Sequence, residues 1–123
     1  MTLNYCIKKG REALIHSVSK PASFHYAVVT DARGRVIGES ENKAFKSHPT
    51  QARYAAKAML PDKVNLHAEL HAIIRAAKNG KPHTIYVCRI GKKGNVLYSE
   101  PCIICKMMIK DAGIKVVTYT TGE

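Results

Sequence analysis

A chain of 123 residues fits one domain, residues 1–123, and can bury a self-sufficient core without staples. Apolar residues at 46% and charged ones at 24% exclude a disordered or low-complexity chain, and no run is long enough to span a membrane. Twenty Lys and Arg stand against nine Asp and Glu, a net charge of +11; spread along the whole chain, it suits either a solvated surface or an anionic partner such as a nucleotide or a nucleic acid.

Residues 2 to about 19 carry Leu3, Ile7, Leu14 and Val18 at helical spacing, and Pro21 stops this first helix. Residues 24–30 are β-branched and aromatic and form a strand. Residues 31–34 make a turn, and residues 35–39 return as the second arm of a hairpin. Residues 40–48 read as a polar loop. Pro49 opens a short helix through Met59, ended by Pro61. Asn65 is a suitable N-cap for a helix over about 66–79 with Gly80 as its stop; its buried stripe is Leu66, Leu70, Ile73, Ile74 and Ala77. Residues 84–90 form a strand, 91–94 a turn and 96–99 a short extended piece. Pro101 sits in the first turn of a helix through Ala112, and Gly113 ends it. Residues 114–120 are the last strand. A hairpin followed by alternating helices and strands argues for an α/β fold, a mixed sheet covered on both faces.

Four cysteines occur with no apolar leader in front of them, which points to a reducing, cytoplasmic compartment. There, paired cysteines mean metal more often than disulfide. Two short segments carry the chemistry: His67-Ala68-Glu69 and Pro101-Cys102-Ile103-Ile104-Cys105. Both fall where helices begin. Residues two apart on a regular helix point to opposite faces, so His67 and Glu69 could not both reach a metal mounted on its side. A metal beyond the helix N-terminus removes that conflict, because first-turn side chains converge there. Two helix N-termini aimed at one point also favour thiolates over thiols. One imidazole and two thiolates from His67, Cys102 and Cys105 leave a fourth position on Zn2+ open for water, whose pKa falls to roughly 7 in such sites. Glu69 then stands ready to take the water proton and hand it to a leaving amine, which departs poorly until protonated.

His-x-Glu followed by Pro-Cys-x-x-Cys, in this order and on helix starts, resembles the cytidine and deoxycytidylate deaminase superfamily of zinc-dependent nucleobase deaminases. That superfamily also includes tRNA adenosine deaminases and polynucleotide cytidine deaminases. The resemblance implies a three-layer α/β/α sandwich with the metal between two helices. It assigns His67, Cys102 and Cys105 as ligands and Glu69 as proton shuttle. It also implies that the backbone of Ala68 and of Glu100 and Pro101, ahead of Cys102, reads the base edge. Asn42 matches a loop asparagine that binds sugar or base in several members. Glu100-Pro101-Cys102 is similar to the tRNA adenosine deaminase version of the second motif, whereas Ser99 is less so. Members commonly carry a further strand, and often a helix, after the strand that here spans residues 114–120; this sequence ends at Glu123. The insertion over residues 91–95 is another departure. Subunits of the family pack together, which implies a homo-oligomer.

The reaction implied is hydrolytic deamination of a cytosine nucleoside or nucleotide. An alternative is a base deaminase of tRNA adenosine or of cytosine in single-stranded DNA or RNA. A third is a non-catalytic zinc-binding module, in which His71, one turn beyond His67, closes the metal shell. A redox Cys-x-x-Cys is a weaker reading, since it has no use for His-x-Glu. Cys6 and Cys88 are expected as buried small hydrophobes. His16, His25 and His83 are expected on the surface or as satisfied core residues. Ile103, Ile104, Met107 and Met108 are expected to pack the second metal helix. Phe45, Tyr54 and Tyr119 could stack on a base or simply fill the core, and His48-Pro49 could border the substrate mouth or only start a helix.

Overall fold

The computed structural model describes residues 3–16, 23–41, 43–47, 49–57, 59 and 65–122. Helix α1 (Leu3–Ile15) leads into strands β1 (Ser23–Thr30), β2 (Val36–Glu41) and β3 (Lys43–Ser47). Helix α2 (Pro49–Lys57), strand β4 (Asn65–Leu66) and helix α3 (Ala68–Asn79) follow. Strands β5 (Thr84–Gly91) and β6 (Val96–Leu97), helix α4 (Ile103–Asp111) and strand β7 (Val116–Tyr119) complete the order. The main sheet has five strands in the order β2-β1-β5-β6, with β7 also paired to β5. The β5–β7 pair is parallel and the rest are antiparallel, so the sheet is mixed. Helix α1 lies on one face against β1 and β5, and α3 covers the other face over β1 and β2, beside α4. This is the expected three-layer α/β/α arrangement.

Strand alternation sorts the two cores. Phe24, Tyr26, Val28, Cys88 and Ile90 point to α1 and join Cys6 and Leu14. Ala27, Val29, Ile85 and Val87 point the other way and meet Ala68, Ala72, Ile73 and Ala76 of α3. The hairpin turn is closed by Asp31, whose carboxylate accepts from the backbone N–H of Arg33 at 2.9 Å and of Arg35 at 3.0 Å. Gly34 supplies the left-handed residue, φ +82°. At Gly38 the reason for glycine is space: a Cβ there would lie 2.6 Å from Ala76 N. Helix α3 therefore seats directly on the backbone of β2, with alanines at the contact.

Several expectations shift. Helix α3 begins at Ala68, with His67 as its N-cap in place of Asn65. Asn65 and Leu66 instead form β4, which pairs with β3 across the segment expected to be a polar loop. The buried face of α3 holds Ala76, while Ala77 is exposed. The reason is that α3 is covered on two sides: Ala68, Ala72, Ile73 and Ala76 meet the sheet, and Leu70 meets α4. Helix α2 ends at Lys57 and α4 starts at Ile103 with Cys102 as N-cap. Ile103 is 58% exposed, so only Ile104 and Met108, with Met107 partly buried, pack as expected. Val18, Pro21, Asn42, His48, Pro61 and the Phe45 side chain lie outside the described residues. No helix among the described residues is long and apolar enough to cross a membrane.

Candidate metal centre and cavity

His67 and Cys102 occupy equivalent positions, each the N-cap of its helix. Both backbones are extended there, at φ −77°, ψ 154° and φ −69°, ψ 170°, and neither side chain caps its own helix. Each carbonyl instead accepts the first helical bond, from His71 N to His67 O at 3.2 Å and from Lys106 N to Cys102 O at 2.9 Å. The side chains thus project past the helix ends. Cys105, in the first turn of α4, reaches the same point. The two helices are held side by side by Leu70, Ile104, Cys105 and Met108, with Tyr54 of α2 against them. Tyr54 donates to Asp111 at 2.5 Å, so it is a core residue and stands outside the cavity.

His67 Nδ1 lies 3.2 Å from Cys105 Sγ and 3.7 Å from Cys102 Sγ. The ligand atoms of the three residues all lie within 4.8 Å of one another. Zinc in a tetrahedron holds nitrogen at about 2.0–2.1 Å and sulfur at about 2.3 Å, which sets the two donors about 3.5 Å apart. The observed spacings bracket that value, and two sulfurs with one imidazole are a donor set zinc favours, so the residues present fit the ion. His71 does not join them: its Nδ1 is 2.6 Å from Ser40 Oγ on β2, and it is absent from the cluster. The alternative of a four-ligand shell closed by His71 has no support in this geometry.

The electrostatics suit the donor set. A hydrogen bond from Cys105, then one with His67, pull the Cys102 thiol down to about 3. Cys105 moves the other way, because it donates to the Cys102 thiolate and is buried. Burial raises the carboxyl of Glu69 above its ordinary range, against the pull of its own backbone N–H and of His67. Glu69 is only 6% exposed. It lines a cavity of about 280 Å³ together with His25, His67, Arg89, Tyr98, Ser99, Glu100 and Cys102. A larger groove of about 660 Å³ between α1 and the end of β7 contains none of the ligand set.

The loop ahead of α4 is fixed by Ser99. Its Oγ donates to Val87 O at 2.9 Å, lies 2.6 Å from Thr120 Oγ1, and accepts from Thr120 N at 2.9 Å. Glu100 pairs with Lys106 Nζ at 2.6 Å and accepts from the Tyr98 hydroxyl. Pro101 and Ala68 are buried beside the ligands, and Glu100 lines the cavity. Tyr119 packs edge-on against Tyr98, ring centroids 5.9 Å apart, and lines the larger groove in place of the cavity. Two cavity residues escape the motif reading. His25 is expected in a bland role, and Arg89 carries no motif. The signal that finds them is strand parity: both stand on the row that β1 and β5 turn toward α3.

A family model described as the cytidine and deoxycytidylate deaminase zinc-binding region matches residues 4–121. Among solved structures the chain is similar to guanine deaminase from Bacillus subtilis, at 21% identity and a TM-score of 0.54, covering 98% of this chain and 65% of that one. It is also similar to cytidine deaminase from Mycobacterium tuberculosis, at 15% identity and a TM-score of 0.56, covering 100% of this chain and 89% of that one. At these identities the likeness shows a shared fold. No curated protein matches the chain.

Proposed function

Because this chain belongs to the cytidine and deoxycytidylate deaminase family of zinc-binding proteins, we propose that it hydrolytically deaminates a cytosine nucleoside or nucleotide. The observation that carries the reading is the buried Glu69 carboxyl, two residues from His67 and in the same cavity as Cys102. In this proposal His67, Cys102 and Cys105 hold the metal. A zinc ion bound there supplies Lewis acidity that makes water a better nucleophile near neutral pH. Glu69, kept readily protonated by burial, takes a proton from the attacking water and returns it to the exocyclic amine. The ring carbon gains a C–O bond, the C–N bond breaks, and ammonia leaves. The N–H groups at the start of α3, beginning with Ala68, and the fixed loop of Glu100 and Pro101 contact the base edge; Asn42 is assigned to sugar or base.

The same reading makes residues 1–123 one catalytic domain in a reducing, cytoplasmic setting, supported by four free cysteines. It takes the working form as a homo-oligomer, supported by Val116 and Val117, each over 40% exposed on β7. The charge of +11 favours a second reading, a deaminase of bases within tRNA or single-stranded DNA. One screen tests both. Zinc-loaded protein is offered free bases, nucleosides, nucleotides, single-stranded DNA and tRNA, with Glu69→Ala as blank, and ammonia is measured. Release from cytidine or its nucleotides supports the first reading. Release from polymer alone, with affinity falling steeply in salt, supports the second. No release from any of them ends both.

A further inference from the structure

Strand alternation dictates what the sheet contributes to the cavity. On β5, Ile85 and Val87 face α3 and join the core there, while Cys88 and Ile90 face α1. Arg89 has the parity of Ile85 and Val87, so a guanidinium stands where the pattern calls for a third apolar side chain. Its register partner on β1 is His25, which follows Ala27 and Val29 of the same row. Both line the cavity with His67, Glu69 and Cys102.

A cation turned toward an apolar layer is costly to hold there unless it is paired. Arg89 Nε is buried with no hydrogen-bond partner. Among the described residues it is the one buried side-chain nitrogen or oxygen in that condition. The acceptors that line the cavity nearby have other bonds: Glu69 accepts from its own backbone N–H and from Cys105, Ser99 Oγ is tied to Val87 and Thr120, and Glu100 to Tyr98 and Lys106. His25 adds no second cation beside it, since burial first, then the positive charges of Arg89 and His67, favour its neutral ring. A cavity-lining guanidinium that keeps an unreceived N–H is a group a substrate acceptor would complete.

We propose that Arg89 is the specificity-determining residue of this cavity, its guanidinium donating to a ring carbonyl oxygen of the base. This rests on the deaminase reading and deepens it by naming the substrate class: an amino-substituted ring that also bears a carbonyl, as cytosine and guanine do and adenine does not. A phosphate is the poorer fit. A cavity of about 280 Å³ is at the small end for ligand sites and suits a single ring. A dianion wants several donors, yet among the described residues Arg89 is the lone permanent cation in a lining that already holds Glu69 and Glu100.

The test replaces Arg89 with methionine, which keeps length and apolar bulk and removes the donor. Zinc-loaded wild-type and Arg89→Met proteins are compared on cytidine, cytidine 5′-monophosphate, guanine and adenosine, alongside Tm. The expected result is that KM for the preferred carbonyl-bearing substrate rises about 10- to 100-fold, equally for cytidine and its monophosphate, with kcat less affected. Adenosine turnover changes less than about 3-fold. Tm holds or rises, because a buried unpaired donor is gone, and Arg89→Lys recovers part of the lost KM. Unchanged KM on cytidine and guanine overturns the proposal. So does a loss confined to the monophosphate, which reassigns Arg89 to the phosphate. A fall in Tm with uniform loss on every substrate also overturns it, as a structural role would. Best turnover on adenosine overturns it too, while leaving the deaminase reading intact. Wild-type protein that deaminates nothing ends the deaminase reading instead.

Discussion

Substituting Gly38 by alanine tests how the sheet positions the metal centre. The added Cβ would lie 2.6 Å from Ala76 N and 2.9 Å from Ala76 Cα, with the Ala72 carbonyl closer still. All three are helix backbone, so no flexible side chain can swing aside. Restoring an ordinary contact of 3.4 Å at the Ala72 carbonyl requires α3 to withdraw from β2 by about 1 Å. The layer that opens holds Val29, Ile37, Ala72, Ile73 and Ile85. A gap of that size forfeits about a quarter to a half of each dispersion contact across it. Overpacking costs about 1–3 kcal/mol in general, and the rigid obstacle places this case near 3 kcal/mol. For a chain of this length that lowers Tm by about 10 °C. Because α3 begins with His67 and Glu69, the same movement exceeds the roughly 0.5 Å tolerance of a preorganised site. Turnover should fall about 100-fold in the protein that remains folded. Thermal unfolding followed by circular dichroism, with zinc content and ammonia release measured at a temperature where both proteins are folded, gives the answer. A Gly38→Ala protein within 2 °C of wild type and equally active would refute the close seating of α3 on β2.

Other outcomes follow from the site and its supports. Glu69→Gln should bind zinc as wild type does and lose about 10²- to 10⁴-fold in kcat, read by metal analysis beside ammonia release. Cys105→Ala should leave the purified protein with far less than one zinc per chain, since two donors remain at the junction of α3 and α4. Ser99→Ala removes the hydroxyl shared by Val87 O and Thr120 N and should cost about 1–3 kcal/mol in denaturant unfolding. Burial, then the Glu39 carboxylate, holds the Tyr5 hydroxyl up at about 12 and Tyr26 higher still. Unfolded tyrosines release their protons near pH 10, so stability is intact below that pH and falls as pH rises from about 10 to 12 and beyond. Urea midpoints at pH 8 and pH 11 measure the loss, and Tyr26→Phe should reduce it.

The candidate metal site is legible because its residues fall in two short segments, each at a helix start that local rules locate. His67, Cys102 and Cys105 come within reach of one another there, and Glu69 lines the adjoining cavity. The start of α3 is misplaced by sequence reasoning because Asn65 has the chemistry of an N-cap, yet β4 pairs with β3, a contact from elsewhere in the chain that no local rule contains. The stripe on α3 slips from Ala76 to Ala77 for a related reason: a single amphipathic face is assumed, and the helix is buried on two. Arg89 and His25 escape a motif search, although the alternation Ile85, Val87, Arg89 carries the signal in plain form. A charge on the inward row at a strand's end is a local conflict, and such conflicts mark sites.

X-ray absorption at the zinc edge reads the ligands of the metal themselves. The expected result is one zinc per chain bound by two sulfurs at about 2.3 Å and one imidazole nitrogen and one further light atom at about 2.0–2.1 Å, with one sulfur lost in the Cys102→Ser protein. A shell of four protein ligands, or one in which Cys102→Ser changes nothing, would contradict it.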